Sequence, residues 1–409
     1  MTNTTQEQAA PTAQNGLFEH AHGAGSPVPL QSRAERRTSF DVADFALPTG
    51  REEEWRFTPI DLLRGVFEDR VSDPGALSYD VSAPDAVVVG SLTPGQSPRG
   101  SVLAPADRAA VLAHARTPEA LHVRIAPDAQ LSEPVRVVLQ GAAGLRSNTH
   151  VVIDAGAHSS GTVVLDHVGS GQHAGNVEIR TGDGSQITVV SLQRWADDAI
   201  HLAQHDAQVG RDARFKHVVV SLGGKVVRVN VNVRYAGPGG EATLLGVYFA
   251  DAGQHLEHRS FVDHEPARCT SLVTYKGALQ GETAHTVWVG DVLIQASAEG
   301  TSTYELNRNL VLTEGARADS VPNLEIKTGQ IEGAGHASAT GRFDDEQLFY
   351  LQARGIPQVE ARRLVVRGFF ADVIAQIAVP DIQELLMAAI EEELTGAMLV
   401  GSAAAGEQA

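Results

Sequence analysis

The stretch KVVRVNVNVRY, residues 225–235, alternates with a period of two over its length. Val227, Val229, Val231, Val233 and Tyr235 fall on one side of an extended chain; Arg228, Asn230, Asn232 and Arg234 fall on the other. A helix cannot present this pattern, because one helix face recurs about every 3.6 residues. Related short runs follow one another across the long middle of the chain: THVVIDAG, NVEIRTG, QITVVSLQRW, RFKHVVVSL and NLVLTEGA. A glycine precedes several of them, at Gly156, Gly184, Gly210 and Gly239, spaced 28, 26 and 29 residues apart. Short strands at a near-constant period, with glycine at the corners and little helix between them, suit a β-solenoid or a β-sandwich. Repeated over roughly two hundred residues, the pattern favours the solenoid, and a mainly β fold.

The flanks differ from this body. Residues 1–37 are rich in Thr, Gln, Ala, Pro and Gly and are expected as a mobile tail, with His20 and His22 in solvent. Residues 38–130 hold Phe40, Phe45, Trp55, Phe57 and Ile60, enough to anchor a small mixed, partly helical subdomain. The β core is expected over residues 131–345. A helical subdomain follows over 346–399, where Pro357 opens one helix and Asp381 can N-cap another. Ile382, Leu385, Leu386, Ala389, Ile390 and Leu394 make a stripe at helical spacing. Residues 400–409 read as a second tail.

Charge and cysteine usage exclude several functions. Fifty acidic residues against 32 basic ones give a net charge of −18, which repels phosphate backbones and anionic lipid, so nucleic acid is not an expected partner. The first residues lack a signal-peptide pattern and no apolar run is long enough to span a bilayer, so a cytoplasmic protein without membrane contact is expected. The single cysteine, Cys269, excludes an intramolecular disulfide and a thiolate-only metal site from this chain alone.

Several constellations invite chemistry. His201 and His205 have the i, i+4 spacing of a helical zinc pair, but their flanks read as strands and no third ligand is evident, so surface or loop positions are expected. HLEHRSFVDHEPARC gathers His255, His258, His264 and Cys269, yet strand alternation turns His255 and His258 to opposite faces. A polar sheet face is the simpler reading there, with Cys269 as a small buried residue. Asp344 and Asp345 raise the alternative of a polysaccharide-active β-solenoid enzyme; neighbouring strand residues diverge, and aromatic content of 5% is low for a glycan groove. His336 stands apart, because Gly335, Ala337, Ser338 and Ala339 around it are small enough to let something bulky approach.

GHASATGRFDDEQLFYLQARGI, residues 335–356, preceded by SVPNLEIKTG, resembles the C-terminal signature of the SufB/SufD family, the scaffold subunits of the SUF iron–sulfur cluster assembly system. REEEWRFTP near the head is similar to the family's Glu-Glu-Trp-Arg element. The order of features matches from about Phe40 to Met398, and the short chain with one cysteine is closer to the SufD branch. The resemblance implies a right-handed parallel β-helix between helical ends. It implies a non-catalytic scaffold that pairs with a SufB-like paralogue and docks a SufC-like ATPase, with a homodimer possible in isolation. ATPase docking would fall on the region of Phe349, Tyr350, Arg354, Leu364, Phe369, Ile382, Leu385 and Leu386. His336 matches the family histidine that contributes to a transient iron–sulfur cluster at the subunit interface; no cofactor is expected to stay on the isolated chain. Two positions depart from family patterns. Ala334 stands where some SufD chains have cysteine, and Ala337 where SufB-like chains have glutamate, so carboxylate ligation is expected from the partner.

Overall fold

The computed structural model describes residues 36–343 and 345–406, leaving out the side chains of 345–347, 359, 393 and 395–406. Most of the expected N-terminal tail, with His20 and His22, and Asp344 of the acidic pair therefore lie outside the described residues.

Two nine-stranded sheets run side by side. The first contains β1 (Leu77–Ser82), β4 (Val135–Gly141), β6 (Ser160–Gly169), β8 (Gln186–Trp195), β10 (Arg214–Ser221), β12 (Glu241–Ala250), β14 (Thr270–Leu279), β16 (Ser302–Val311) and β18 (Gly333–Arg342). The second contains β2 (Val87–Leu92), β3 (Ala120–Ile125), β5 (Arg146–Ala155), β7 (Gln172–Thr181), β9 (Ile200–Val209), β11 (Val226–Tyr235), β13 (His255–His264), β15 (His285–Ile294) and β17 (Arg317–Ile326). From β3 onward the chain alternates between sheets and every ladder is parallel, as in Val227↔Leu256 and Val229↔His258. This is a β-solenoid of about eight turns, the architecture expected from the repeat.

The glycine punctuation has two physical causes. Gly184 takes φ +66 at a corner, where a side chain would be strained. Gly156 does not take a positive φ, but a Cβ there would lie 2.4 Å from the Pro127 nitrogen of the neighbouring turn.

Val227, Val229, Val231, Val233 and Tyr235 of β11 point between the sheets, as their alternation predicts. The opposite face is also covered. Arg228 is 2% exposed: its guanidinium lies 3.9 Å from the centre of the Trp55 ring and pairs with Asp107 at 2.8 Å and Glu257 at 3.1 Å. Asp107 also caps α1 (Arg108–Arg116) by accepting from the Ala110 N–H. Thr58 donates to Glu257 at 2.6 Å, while Glu178 accepts from the backbone N–H groups of Gly100, Val102 and Leu103. The REEEWRFTP segment is thus a lid on the second sheet, with each buried charge partnered, as burial requires. Residues 38–130 also supply β1, β2 and β3 to the two sheets; β1 and β2 run antiparallel to their neighbours and form the N-terminal edges of the solenoid.

On the outer face of the first sheet lie α3 (Gln358–Ile377) and α4 (Pro380–Gly406), preceded by α2 (Asp345–Gln352). Val366, Phe370, Val373, Ile382, Leu386 and Ile390 pack on Val190, Val218, Val247 and Phe249. Lys276 fastens α3 through the Phe369 carbonyl at 2.8 Å and the Asp372 carboxylate. Of the tail expected over residues 400–409, 400–406 belong to α4, which runs over alanines that favour helix, and 407–409 lie outside the described residues. No described helix is long and apolar enough to cross a membrane.

Candidate functional site

Each sheet has an edge strand at either end of the solenoid: β1 and β2 at the N-terminal end, β18 and β17 at the C-terminal end. At the C-terminal end β17 has only β15 as a neighbour and β18 only β16, so both present an unpaired edge among the described residues. The two C-terminal edges are ten residues long; β17 carries Arg317, Asp319, Pro322 and Glu325, whereas β18 is made almost wholly of small residues around His336. Natural sheets blunt such edges with charge, bulges or covering segments, because bare N–H and C=O groups recruit another strand. The sequence of β18, GAGHASATGR, leaves its edge bare.

His336 sits at the middle of β18 and is exposed. Its ladder partner is Glu305 on β16, so both side chains start on the inward-facing side. Gly335, Ala337 and Ala339 alternate with it on the other side; Gly335 packs against the Tyr304 ring, with space for a Cβ at 3.4 Å. Ser338 meets Ser320 of β17 at 2.7 Å, which ties the last two strands together. The small residues around His336 thus keep the edge low.

Glu305 is 1% exposed, and neither of its carboxyl oxygens has a hydrogen-bond partner among the described residues. It reaches across to β15, where a Cβ on Gly290 would lie 2.7 Å from Oε1. Burial, reinforced by the Asp291 charge, pushes its carboxyl up to about 8. A proton, a water or a cation must serve this group. Sequence reasoning missed it, since a glutamate in STYELNRNLV reads as a surface residue. Counting one repeat back from His336 would have found it.

Other candidates resolve differently. His201 and His205 are buried between the sheets, not at the surface: His201 bonds Gln193 at 2.7 Å and His205 bonds His217 at 3.0 Å. The alternation that hid them is the same one that places Val227 and Val231 inward, since His201 and His205 are their ladder partners. His258 and His264 also face inward, and His255 faces outward, the divergence expected. Cys269 is fully buried in the core, its thiol near the Gly237 carbonyl and pushed up by burial. Among the described residues no group of three or more His, Cys, Asp or Glu side chains is arranged to hold a metal ion.

The docking candidates divide in two. Phe349, Tyr350 and Leu364 are exposed, with the Arg354 guanidinium 4.3 Å from the centre of the Tyr350 ring. Ile382 and Leu386 are buried against the first sheet, and Phe369 and Leu385 pack beside them. Of the expected docking set, those four pack on the solenoid, and Phe349, Tyr350, Arg354 and Leu364 are the exposed ones. The packed stripe holds the helices to the solenoid, and the sequence alone did not reveal what the stripe would cover.

Residues 137–369 match the family model described as SUF system FeS cluster assembly, SufBD core domain. The chain belongs to the SufBD family. It is 51% identical over 370 residues to an iron–sulfur cluster assembly SufBD family protein of Mycobacterium tuberculosis, covering 89% of this chain and 93% of that one. A SufBD family protein of Mycobacterium leprae is 50% identical over 378 residues, covering 91% and 96%. The SufD protein of Escherichia coli is 24% identical over 422 residues, covering 94% and 98%. This SufBD chain is therefore an iron–sulfur cluster assembly protein with a solenoid core, and its β18 segment is the place where a lone imidazole meets an open sheet edge.

Proposed function

We propose that this SufBD protein is a non-catalytic scaffold subunit that pairs with a SufB-like paralogue at the β17–β18 end and lends His336 to a nascent cluster there. The observation that carries the reading is the ten-residue β18 edge with His336 among small residues. Iron–sulfur clusters are held chiefly by cysteine thiolates, with histidine as an occasional ligand. Cys269 is buried in the core, so the thiolates must come from another chain. Strand addition at β18 would bring such a chain to His336, with main-chain hydrogen bonds supplying affinity. Glu305, one rung behind on the same side of the sheet, offers a carboxyl oxygen to iron before sulfur arrives.

The exposed Phe349, Tyr350 and Leu364, with Arg354, form the surface offered to a SufC-like ATPase. Motion of that ATPase would reach the solenoid through α3 and α4, which are packed on the first sheet. The cluster is cargo and leaves with its acceptor.

The test is co-expression of the chain with its paralogue and ATPase. His336→Ala should leave the complex assembled and lower its cluster content, read by visible absorption and iron and sulfide analysis. Unchanged cluster content in an intact complex removes the ligand role. A complex that never forms, or a homodimer that loads clusters alone, removes the pairing role.

A further inference from the structure

His255 opens β13 and His285 opens β15; they are ladder partners on the outer face of the second sheet. Their Nδ1 atoms are 3.1 Å apart. The other nitrogen of each ring meets a carboxylate: His285 Nε2 lies 2.7 Å from Asp319, and His255 Nε2 lies 3.2 Å from Glu257. Both carboxylates are fixed in turn. Asp319 pairs with Arg317 at 2.8 Å; Glu257 pairs with Arg228 at 3.1 Å and accepts from Thr58 at 2.6 Å.

An ionised carboxylate only accepts hydrogen bonds, so each Nε2 carries its ring's proton. Each Nδ1 then presents a lone pair, and the two lone pairs face one another. Such a contact is repulsive unless a positive centre lies beside it. Carboxylate, imidazole and open nitrogen in line is the arrangement that orients metal-ligating histidines. The separation also suits a metal, because two nitrogens on a tetrahedral ion at about 2.0–2.1 Å stand roughly 3.3 Å apart.

We propose that His255 and His285 bind a borderline divalent transition-metal ion, zinc being the probe of choice, through their facing Nδ1 atoms. No third ligating side chain converges among the described residues, so water completes the coordination shell. His285 is part-exposed and gives the ion access from solvent. Glu257 and Asp319 are positioning residues, acting through the rings. The site is separate from His336, which lies on the other sheet.

The full chain, stripped with chelator, is titrated with zinc by calorimetry and with cobalt(II) by visible absorption. His255→Ala and His285→Ala are each expected to weaken binding at least tenfold and to remove the cobalt d–d bands. Asp319→Asn, which leaves both ligands in place, is expected to weaken binding about tenfold. Both alanine variants keep His336, so the binding that they lose is separate from the cluster role. Zinc should raise the melting temperature of the wild-type chain and not that of His285→Ala. Isotherms that coincide for wild type and His285→Ala overturn the proposal, as does a pair that titrates as a shared proton without taking up metal.

Discussion

Acidification from pH 7.5 to 5.5 is expected to destabilise this solenoid through its own interior. His167, His173, His201, His205, His217, His258 and His264 are all buried between or against the sheets. Burial disfavours the imidazolium and holds His167, His173 and His264 at about 4 and His217 and His258 at about 3; His201 and His205 also lie well below the ordinary value. In the unfolded chain each returns to about 6.5. As pH falls from 6.5 toward 4, the unfolded chain takes up protons that the folded chain refuses, so stability is lost across that window. At pH 5.5 each histidine has removed about 1.4 kcal/mol, on the order of 10 kcal/mol for the set. Glu305 opposes this: its raised carboxyl weakens the fold above about pH 4.5, and acidification to 5.5 returns roughly 2.5 kcal/mol. A net loss on the order of 7 kcal/mol rivals the whole stability of an ordinary domain. Urea midpoints at the two pH values measure it. His258→Phe should cut the difference by about 1.4 kcal/mol. A midpoint that stays level from pH 7.5 to 5.5 refutes the reasoning.

Three further perturbations follow from packing. Gly246→Ala sets a Cβ 1.9 Å from the Tyr275 ring, its ladder partner, and should cost about 1–3 kcal/mol in a denaturant melt. Trp55→Ala strips the ring from Arg228 and should cost about 3–5 kcal/mol, with the segment around residues 51–67 becoming protease-sensitive before the solenoid does. Glu305→Gln keeps the shape without the charge, so it should stabilise the chain at pH 8.5 and have little effect at pH 5; the reverse order would show that the carboxyl is not kept neutral by burial.

The sequence made the solenoid legible because alternation and glycine spacing are local signals. Val227 to Tyr235 point inward as read. The covering of Arg228 and Asn230 was not legible, since it depends on Trp55 and Asp107, far away in the chain. The inward histidines escaped for a related reason: polarity marks a residue as outward, and only the ladder shows that His205 stands beside Val231. At the candidate site, His336 was found through its motif, whereas Glu305 became visible only through strand register. The apolar stripe from Ile382 to Leu394 was read correctly as a stripe, but its partner is the solenoid's own first sheet.

The central claim is that the C-terminal end of the solenoid, at β18, is where a paralogue docks. A photo-reactive maleimide on Ala339→Cys, an exposed position on β18, tests it directly; buried Cys269 should not compete for the label. In complex with the SufB-like paralogue and the ATPase, illumination should join this chain to the paralogue, while the same label on Val88→Cys at the N-terminal end should not. Cross-linking from Val88→Cys with none from Ala339→Cys would contradict the account.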